Sequence, residues 1–219
     1  MTDTTTLAGL AVAHPAAARV FYTNRLDFCC GGSRPFADAC RERGLDADAI
    51  LDEIRRETAE AEPATRWELF SLSALVDHIV AHYHRRLRES LPTLVRMAHK
   101  VEARHRERVA CPMGLAAFLE QFQREVLAHL EKEEAIVFPA IVRGSGARLS
   151  SPIYVLELEH QHHGNDLQRL HALTNDLTPP ADACTTWRAL YAGLSDLERE
   201  LMEHVHLENN ILFPRALAA

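Results

Sequence analysis

The chain has 219 residues, 47% of them hydrophobic, with a formal net charge of −7 and a pI near 6.0. That composition argues against a disordered chain and against a protein that holds nucleic acid by neutralising phosphates, and the length allows one good core with a small appendage. No apolar run approaches the roughly 18 residues of a membrane span, MTDTTTLAGL lacks the basic region of a signal peptide, and five cysteines, an odd number, do not suggest a disulfide framework. A cytoplasmic protein is expected, as a monomer or homodimer.

Helical periodicity dominates, and no stretch sustains the period-2 alternation of a strand. The first 55 residues carry short helical pieces around 16–25, 35–43 and 47–58, with DFCCGG (27–32) between the first two and Asp46 placed to cap the third. TAEAEPATR (58–66) reads as a polar linker. It divides a small N-terminal helical domain, 1–62, from a larger one, 63–219.

From Ser71, Leu72, Leu75, Val76, Ile79, Val80 and Tyr83 follow the i, i+3, i+4 rule, and Pro92 is expected to bend this first long helix without ending it. A second runs from about Gly114 through Leu119 and Val126, closing near Pro139 and Gly144. Ser150-Ser151-Pro152 opens a third as an N-cap with a first-turn proline, and TNDLTPP (174–180) breaks it. A fourth starts near Thr185 and continues to Pro214. Four long helices on short connections predict an all-α fold, a small N-terminal helical domain followed by an up-down-up-down four-helix bundle.

Two of these helices carry one pattern twice. HLEKEEAIVFP (129–139) and HVHLENNILFP (204–214) both read His, three residues, Glu, four residues, Phe-Pro. Residues i and i+4 share a helix face, so His129 with Glu133 and His204 with Glu208 each present an imidazole beside a carboxylate. Both pairs lie in otherwise apolar helices, where a bare buried carboxylate is costly unless it is paired or bound to metal. His84 precedes the first copy, and His160 precedes the second at nearly the same spacing. Two helical hairpins thus each offer two histidines and one glutamate to a shared centre, and the Phe-Pro is expected to mark where each ligand helix runs out, its aromatic ring sealing the bundle beneath the site.

Six ligands are too many for one tetrahedral zinc and suit two metals, with each carboxylate able to bridge. Imidazole-rich ligation favours iron, copper, zinc or nickel over magnesium or calcium. Iron is the first choice, manganese and zinc the next. Two carboxylates offset two divalent ions only in part, which leaves room for an oxide or hydroxide bridge and open positions for a small molecule. Glu125, one turn before His129, and Glu159, next to His160, are candidates to support an imidazole or to pass protons or iron. His78, His82, His105, His162, His163 and His206 are further candidates for a seventh ligand or an access path, His105 foremost; a surface position is the plainer reading of each.

These residues resemble a known family. The set His84, His129, Glu133, His160, His204 and Glu208 is similar to the hemerythrin-like domain, and DFCCGG, ACTTWRALY and LENNILFPRALA resemble the repair-of-iron-centres family over essentially the full length. The resemblance implies a non-haem di-iron protein, two iron ions per chain under an oxo-type bridge and two glutamate bridges, that restores iron–sulfur clusters damaged by nitrosative or oxidative stress. One iron would be labile enough to donate, and the partners would be damaged or apo iron–sulfur proteins. It also implies the six residues as iron ligands. Cys29 and Cys30 read as redox or docking thiols or as transient iron ligands, against a structural turn with incidental thiols; Cys40, Cys111 and Cys184 read as small buried residues. An alternative at the same centre is an enzyme that binds and reduces nitric oxide, or a sensor of oxygen or nitric oxide. A purely structural bundle is the third reading.

Overall fold

A computed structural model describes residues 5–60, 65–145 and 148–219. The N-terminal module holds α1 (Leu7–Ala13), α2 (Ala16–Thr23), α3 (Phe36–Glu42) and α4 (Ala47–Glu60). Helix α1 was not foreseen. It is seven residues long and includes Gly9, and it is held by Thr6, whose hydroxyl accepts the Gly9 N–H at 3.1 Å. Asp46 caps α4 as expected, its carboxylate accepting the Asp48 N–H at 3.0 Å. Phe21 stands at the middle of the module core, 6.1 Å from Phe28 and 6.0 Å from Phe36 between ring centroids. The linker TAEAEPATR and the boundary between 62 and 63 lie partly or wholly outside the described residues.

DFCCGG forms a tight turn. The Asp27 carboxylate accepts the Cys30 N–H at 2.9 Å, and a Cβ on Gly32 would stand 2.7 Å from the Phe28 carbonyl oxygen and 2.9 Å from the Ala8 Cβ. Backbone and the half-buried Ala8 crowd that point, so Gly32→Ala is expected to destabilise the protein by about 1–3 kcal/mol. A urea midpoint equal to the parent's would show that the turn can give way.

The bundle's first helix is α5 (Leu72–His78), a π-turn over Ile79–His84, and α6 (Arg85–His105), which runs through Pro92 without a break. The second is α7 (Leu115–Lys132), a π-turn over Glu133–Val137, and α8 (Phe138–Val142). The third is α9 (Ser150–Thr174), and the fourth is α10 (Thr185–Leu207), a π-turn over Glu208–Leu212, and α11 (Phe213–Ala218). Helix α6 packs on α7 and α10, and α9 packs on the same two, which is the up-down-up-down bundle.

Two boundary expectations need correction. Phe-Pro does not end either of the helices that carry a His-x3-Glu pair. The Phe138 N–H bonds back to the Glu133 carbonyl and the Phe213 N–H to Glu208, each across five residues, and the chain then restarts as α8 and α11. Each proline falls in the first turn of the restarted helix, where its missing N–H costs little. Ser150 does not cap α9: Leu149 stands at the cap with no side-chain bond, and both serines lie in the first turn.

Among the described residues, three apolar clusters make up the core. One lies inside the module, from Leu7 to Ile54. The bundle holds two, and every bundle helix passes from one to the other: Leu87 to Tyr83, Leu130 to Val137, Leu167 to Leu156, Val205 to Ile211. The residues at those crossings are His84, Glu133, His160 and Glu208. A polar layer is thus sandwiched between two dry ones.

Candidate metal centre

All six residues of that layer are buried: Glu133, His160 and Glu208 at 0% exposure, His84 and His204 at 1%, His129 at 2%. Three of them sit on π-turns, His84, Glu133 and Glu208. A π-turn adds a residue to the helical circuit and re-aims the side chains on it, a device common at functional sites.

The donor atoms fall into two groups, each with its atoms within 4.8 Å of one another: His84, His204, Glu133 and Glu208, and His129, His160, Glu133 and Glu208. Both carboxylates belong to both groups. The histidines pair across hairpins, first helix with fourth and second with third, rather than within them. His84 Nε2 is 3.4 Å from Glu133 and His204 Nε2 is 2.9 Å from Glu208, while His129 Nε2 is 3.3 Å from Glu133 and His160 Nε2 is 3.3 Å from Glu208.

The chemistry of this donor set fits a pair of cations. His84 and His204 bring their Nε2 atoms to 3.1 Å, and His129 and His160 bring theirs to 2.9 Å. On three of the four rings Nδ1–H is already committed outward: His84 to Glu134 at 2.7 Å, His129 to Glu159 at 2.9 Å, His160 to Asn209 at 2.7 Å. The inward Nε2 lone pairs therefore face one another with only a proton or a cation to separate them. Both Glu133 oxygens and Glu208 Oε2 are buried without a hydrogen-bond partner. A buried carboxylate left so carries a large desolvation penalty unless a positive charge sits beside it.

The titration of the layer says the same. Burial disfavours the charged form of His129, yet Glu133, backed by Glu208 and Glu159, outweighs it and lifts the imidazole to about 9. Burial alone would raise Glu208, but His204, His160 and His84 hold its carboxyl well below the usual range. Burial pushes His204 down, with Glu208 only partly offsetting it. Ligands must be deprotonated to bind, so a cation entering this layer would have to displace the His129 proton.

The outward partners follow the internal repeat. The residue after each core glutamate serves the hairpin's own upstream histidine, Glu134 for His84 and Asn209 for His160. The residue before each upstream histidine serves the other hairpin: Glu159 bonds His129, while Tyr83 stacks on His204 at 5.8 Å and leaves His204 Nδ1 without a partner. Phe138 and Phe213 lie against His84 and His160, at 5.6 and 6.2 Å, in keeping with rings that close one side of the layer. Glu134, Asn209 and Tyr83 were missed from the sequence. Aligning the two copies one residue past each glutamate would have found the first two.

Of the other candidates, Glu159 supports His129 and also binds Lys132. Glu125 stands apart from the six, with His162 and Asp166 on the half-exposed flank. His105 is not at the centre. It ends α6, 21 residues beyond His84 and so roughly 30 Å along the axis, and its Nε2 meets the Cys184 sulfur at 3.2 Å. His78 stacks between Trp67 and His82, at 4.0 and 5.1 Å. His163 is buried against His129, and burial with its imidazole neighbours holds it neutral, down to about 2.

The N-terminal module reaches the centre at His160. Asn209 accepts from His160 with its oxygen and donates with its amide nitrogen to the Cys29 carbonyl at 3.3 Å. For the pair of cations that this donor set fits, Asn209→Ala should loosen His160 and weaken the binding of one of them by roughly 10–100-fold, the usual cost of losing such a support. Chelator kinetics would then show one fast and one unchanged phase; two unchanged phases would mean that Asn209 orients nothing.

A bundle with paired imidazoles and two shared carboxylates across its core defines a hemerythrin-type cation-binding protein. The chain belongs to the hemerythrin family, whose HHE cation binding domain matches residues 75–216. Residues 3–58 match the ScdA N-terminal domain, a domain of unknown function (DUF542). Among curated proteins the chain is 46% identical over 211 residues to the iron-sulfur cluster repair protein YtfE of Yersinia pseudotuberculosis serotype IB (strain PB1/+), with 96% of each chain covered. It is equally similar, over the same share of both chains, to the protein of that name from Yersinia pestis (strain Pestoides F).

Proposed function

We propose that the protein is a non-haem di-iron protein that repairs iron–sulfur clusters damaged by nitrosative or oxidative stress, by supplying iron to them. His84 and His204 would hold one iron and His129 and His160 the other, with Glu133 and Glu208 bridging and an oxo or hydroxo bridge between. The observation that carries this reading is the sharing of both carboxylates by the two histidine pairs. It gives each ion four protein donors at most, two of them divided with its neighbour, so coordination positions stay open for a recipient's ligands. The 46% identity to iron-sulfur cluster repair proteins over nearly the whole length supports the same reading. The recipients would be apo or damaged iron–sulfur proteins, and the module of residues 1–62 would meet them. Nothing among the described helices is long and apolar enough to cross a membrane, and the five cysteines are free thiols, which suits a reducing cytoplasm.

When bound, the two irons supply the exchangeable metal; the chain's own residues do the rest. Glu134, Glu159 and Asn209 hold three imidazoles with Nε2 inward, and the apolar layers on either side keep water from competing for the carboxylates. The test is to mix iron-loaded protein with an apo iron–sulfur protein and follow iron on both. Iron lost by the donor in step with the recipient's regained cluster absorption supports donation. Iron retained, with nitric oxide consumed catalytically, would replace donation by a reductase.

A further inference from the structure

We propose that Asp27, Cys29 and Cys30 form a third cation site, a thiolate–carboxylate port on the N-terminal module for a divalent, thiophilic ion of the iron or zinc class. The ligand-competent atoms of these three residues lie within 4.8 Å of one another. The Cys29 sulfur is 3.3 Å from the Asp27 carboxylate and 3.7 Å from the Cys30 sulfur. Two sulfurs select soft or borderline metals, and the carboxylate adds the charge that favours a divalent ion.

The three donors are held ready. Asp27 is fixed by the Cys30 N–H at 2.9 Å, and a Cβ on Gly31 would crowd the Asp27 carbonyl and carboxylate at 3.0 and 3.1 Å. The thiols are also kept apart from each other chemically. Adjacent Cα atoms stand about 3.8 Å apart, short of the 4.4–6.8 Å that a disulfide spans with ease, so both sulfurs stay available as ligands. Asp27 and Cys29 line a cavity of about 870 Å³ between the module and the bundle. A cation held by three protein donors would turn its open position toward that space, the arrangement of a site that exchanges rather than stores its ion.

Position adds a role. The Cys30 thiol donates to the His160 carbonyl at 3.2 Å, and Asn209 joins the Cys29 carbonyl to the His160 ring. The port therefore rests on a residue of the buried centre, between it and the cavity. Each thiol passes its proton to solvent in the cavity as its sulfur binds the cation; on release, incoming ligands replace the two sulfurs and the carboxylate on the ion, and the thiolates take protons back from solvent. Use of the port as a way station for donated iron rests on the function proposed above; the site itself does not.

The test is an anaerobic titration of reduced full-length protein with Co2+, whose thiolate charge-transfer band reports sulfur ligation. None of the six residues of the buried layer has sulfur, so the band cannot come from there. We expect one equivalent to give the band in the iron-loaded parent and equally in a Glu133→Ala, Glu208→Ala variant, so that failure of the di-iron reading leaves the result readable. Cys29→Ser and Cys30→Ser should each abolish it, Asp27→Asn should weaken binding at least tenfold, and Cys184→Ser should change nothing. Asp27→Asn keeps both sulfurs and guards against a serine variant that misfolds. No thiolate band in the parent at saturating Co2+, or a band that survives both serine substitutions, would overturn the proposal.

Discussion

Replacing Glu133 and Glu208 together by alanine should cost the purified protein the whole of the proposed iron pair and abolish the near-ultraviolet bands expected of it. Both carboxylates belong to both four-residue groups, so either single substitution should already disturb both ions. The histidines make the sharper comparison. His84 and His204 meet at 3.1 Å, and His129 and His160 at 2.9 Å. His84→Ala and His204→Ala should therefore cost the same ion, and the double variant no more than either alone, since residues acting as one unit are strongly non-additive. His84→Ala with His129→Ala should cost both. If instead His84 and His129 behaved as one unit, the cross-hairpin pairing would be wrong.

Stability offers a second reading of the same variants. An ion that binds only the folded chain stabilises it by about 4 kcal/mol at a thousandfold excess over its Kd. Iron should raise the melting midpoint of the parent and leave that of the Glu133→Ala, Glu208→Ala variant where it was. A variant whose midpoint rises as far as the parent's would move the metal away from this layer.

The six side chains were legible because helical geometry converts sequence spacing into a shared face. His129 with Glu133 and His204 with Glu208 obey the i, i+4 rule, and the internal repeat points to His84 and His160. The pairing across hairpins was not legible, since it depends on which helices stand opposite in the closed bundle. Nor were the π-turns: the five-residue bonds to the Glu133 and Glu208 carbonyls arise as the ligand helices adjust around the polar layer, and Phe-Pro looked like a stop because a regular helix would have stopped there. His105 is a different case. A count of 21 residues of helix beyond His84 already placed it at the far end of the bundle, where Cys184 meets it. Helix α1 was missed because seven residues with a glycine among them carry too little periodicity to separate from a loop.

Acid should loosen the protein through His206, which belongs to the seam between module and bundle rather than to the ligand layer. Its ring is 6% exposed, lies edge-on to Phe28 at 5.4 Å, and accepts from the Asn210 amide at Nδ1, 2.9 Å away. Burial holds the imidazole down to about 4 against an ordinary 6.5, with the Phe28 backbone offsetting only a little. Above pH 6.5 the ring is neutral folded or unfolded and contributes no pH dependence. Between 6.5 and 4 the unfolded chain takes up a proton that the folded chain refuses, so stability falls as pH falls, and the loss is complete once the folded ring also titrates. A depression of that size corresponds to about 3 kcal/mol. Urea midpoints from pH 7.5 down to 4.5, measured in the metal-free Glu133→Ala, Glu208→Ala background, remove any contribution from acid release of iron. Adding His206→Leu should flatten the profile by most of that amount, because leucine fills the seam and has no proton to gain. Profiles that fall in parallel with and without His206 would assign the acid sensitivity to the remaining buried imidazoles, His163 and the four of the centre.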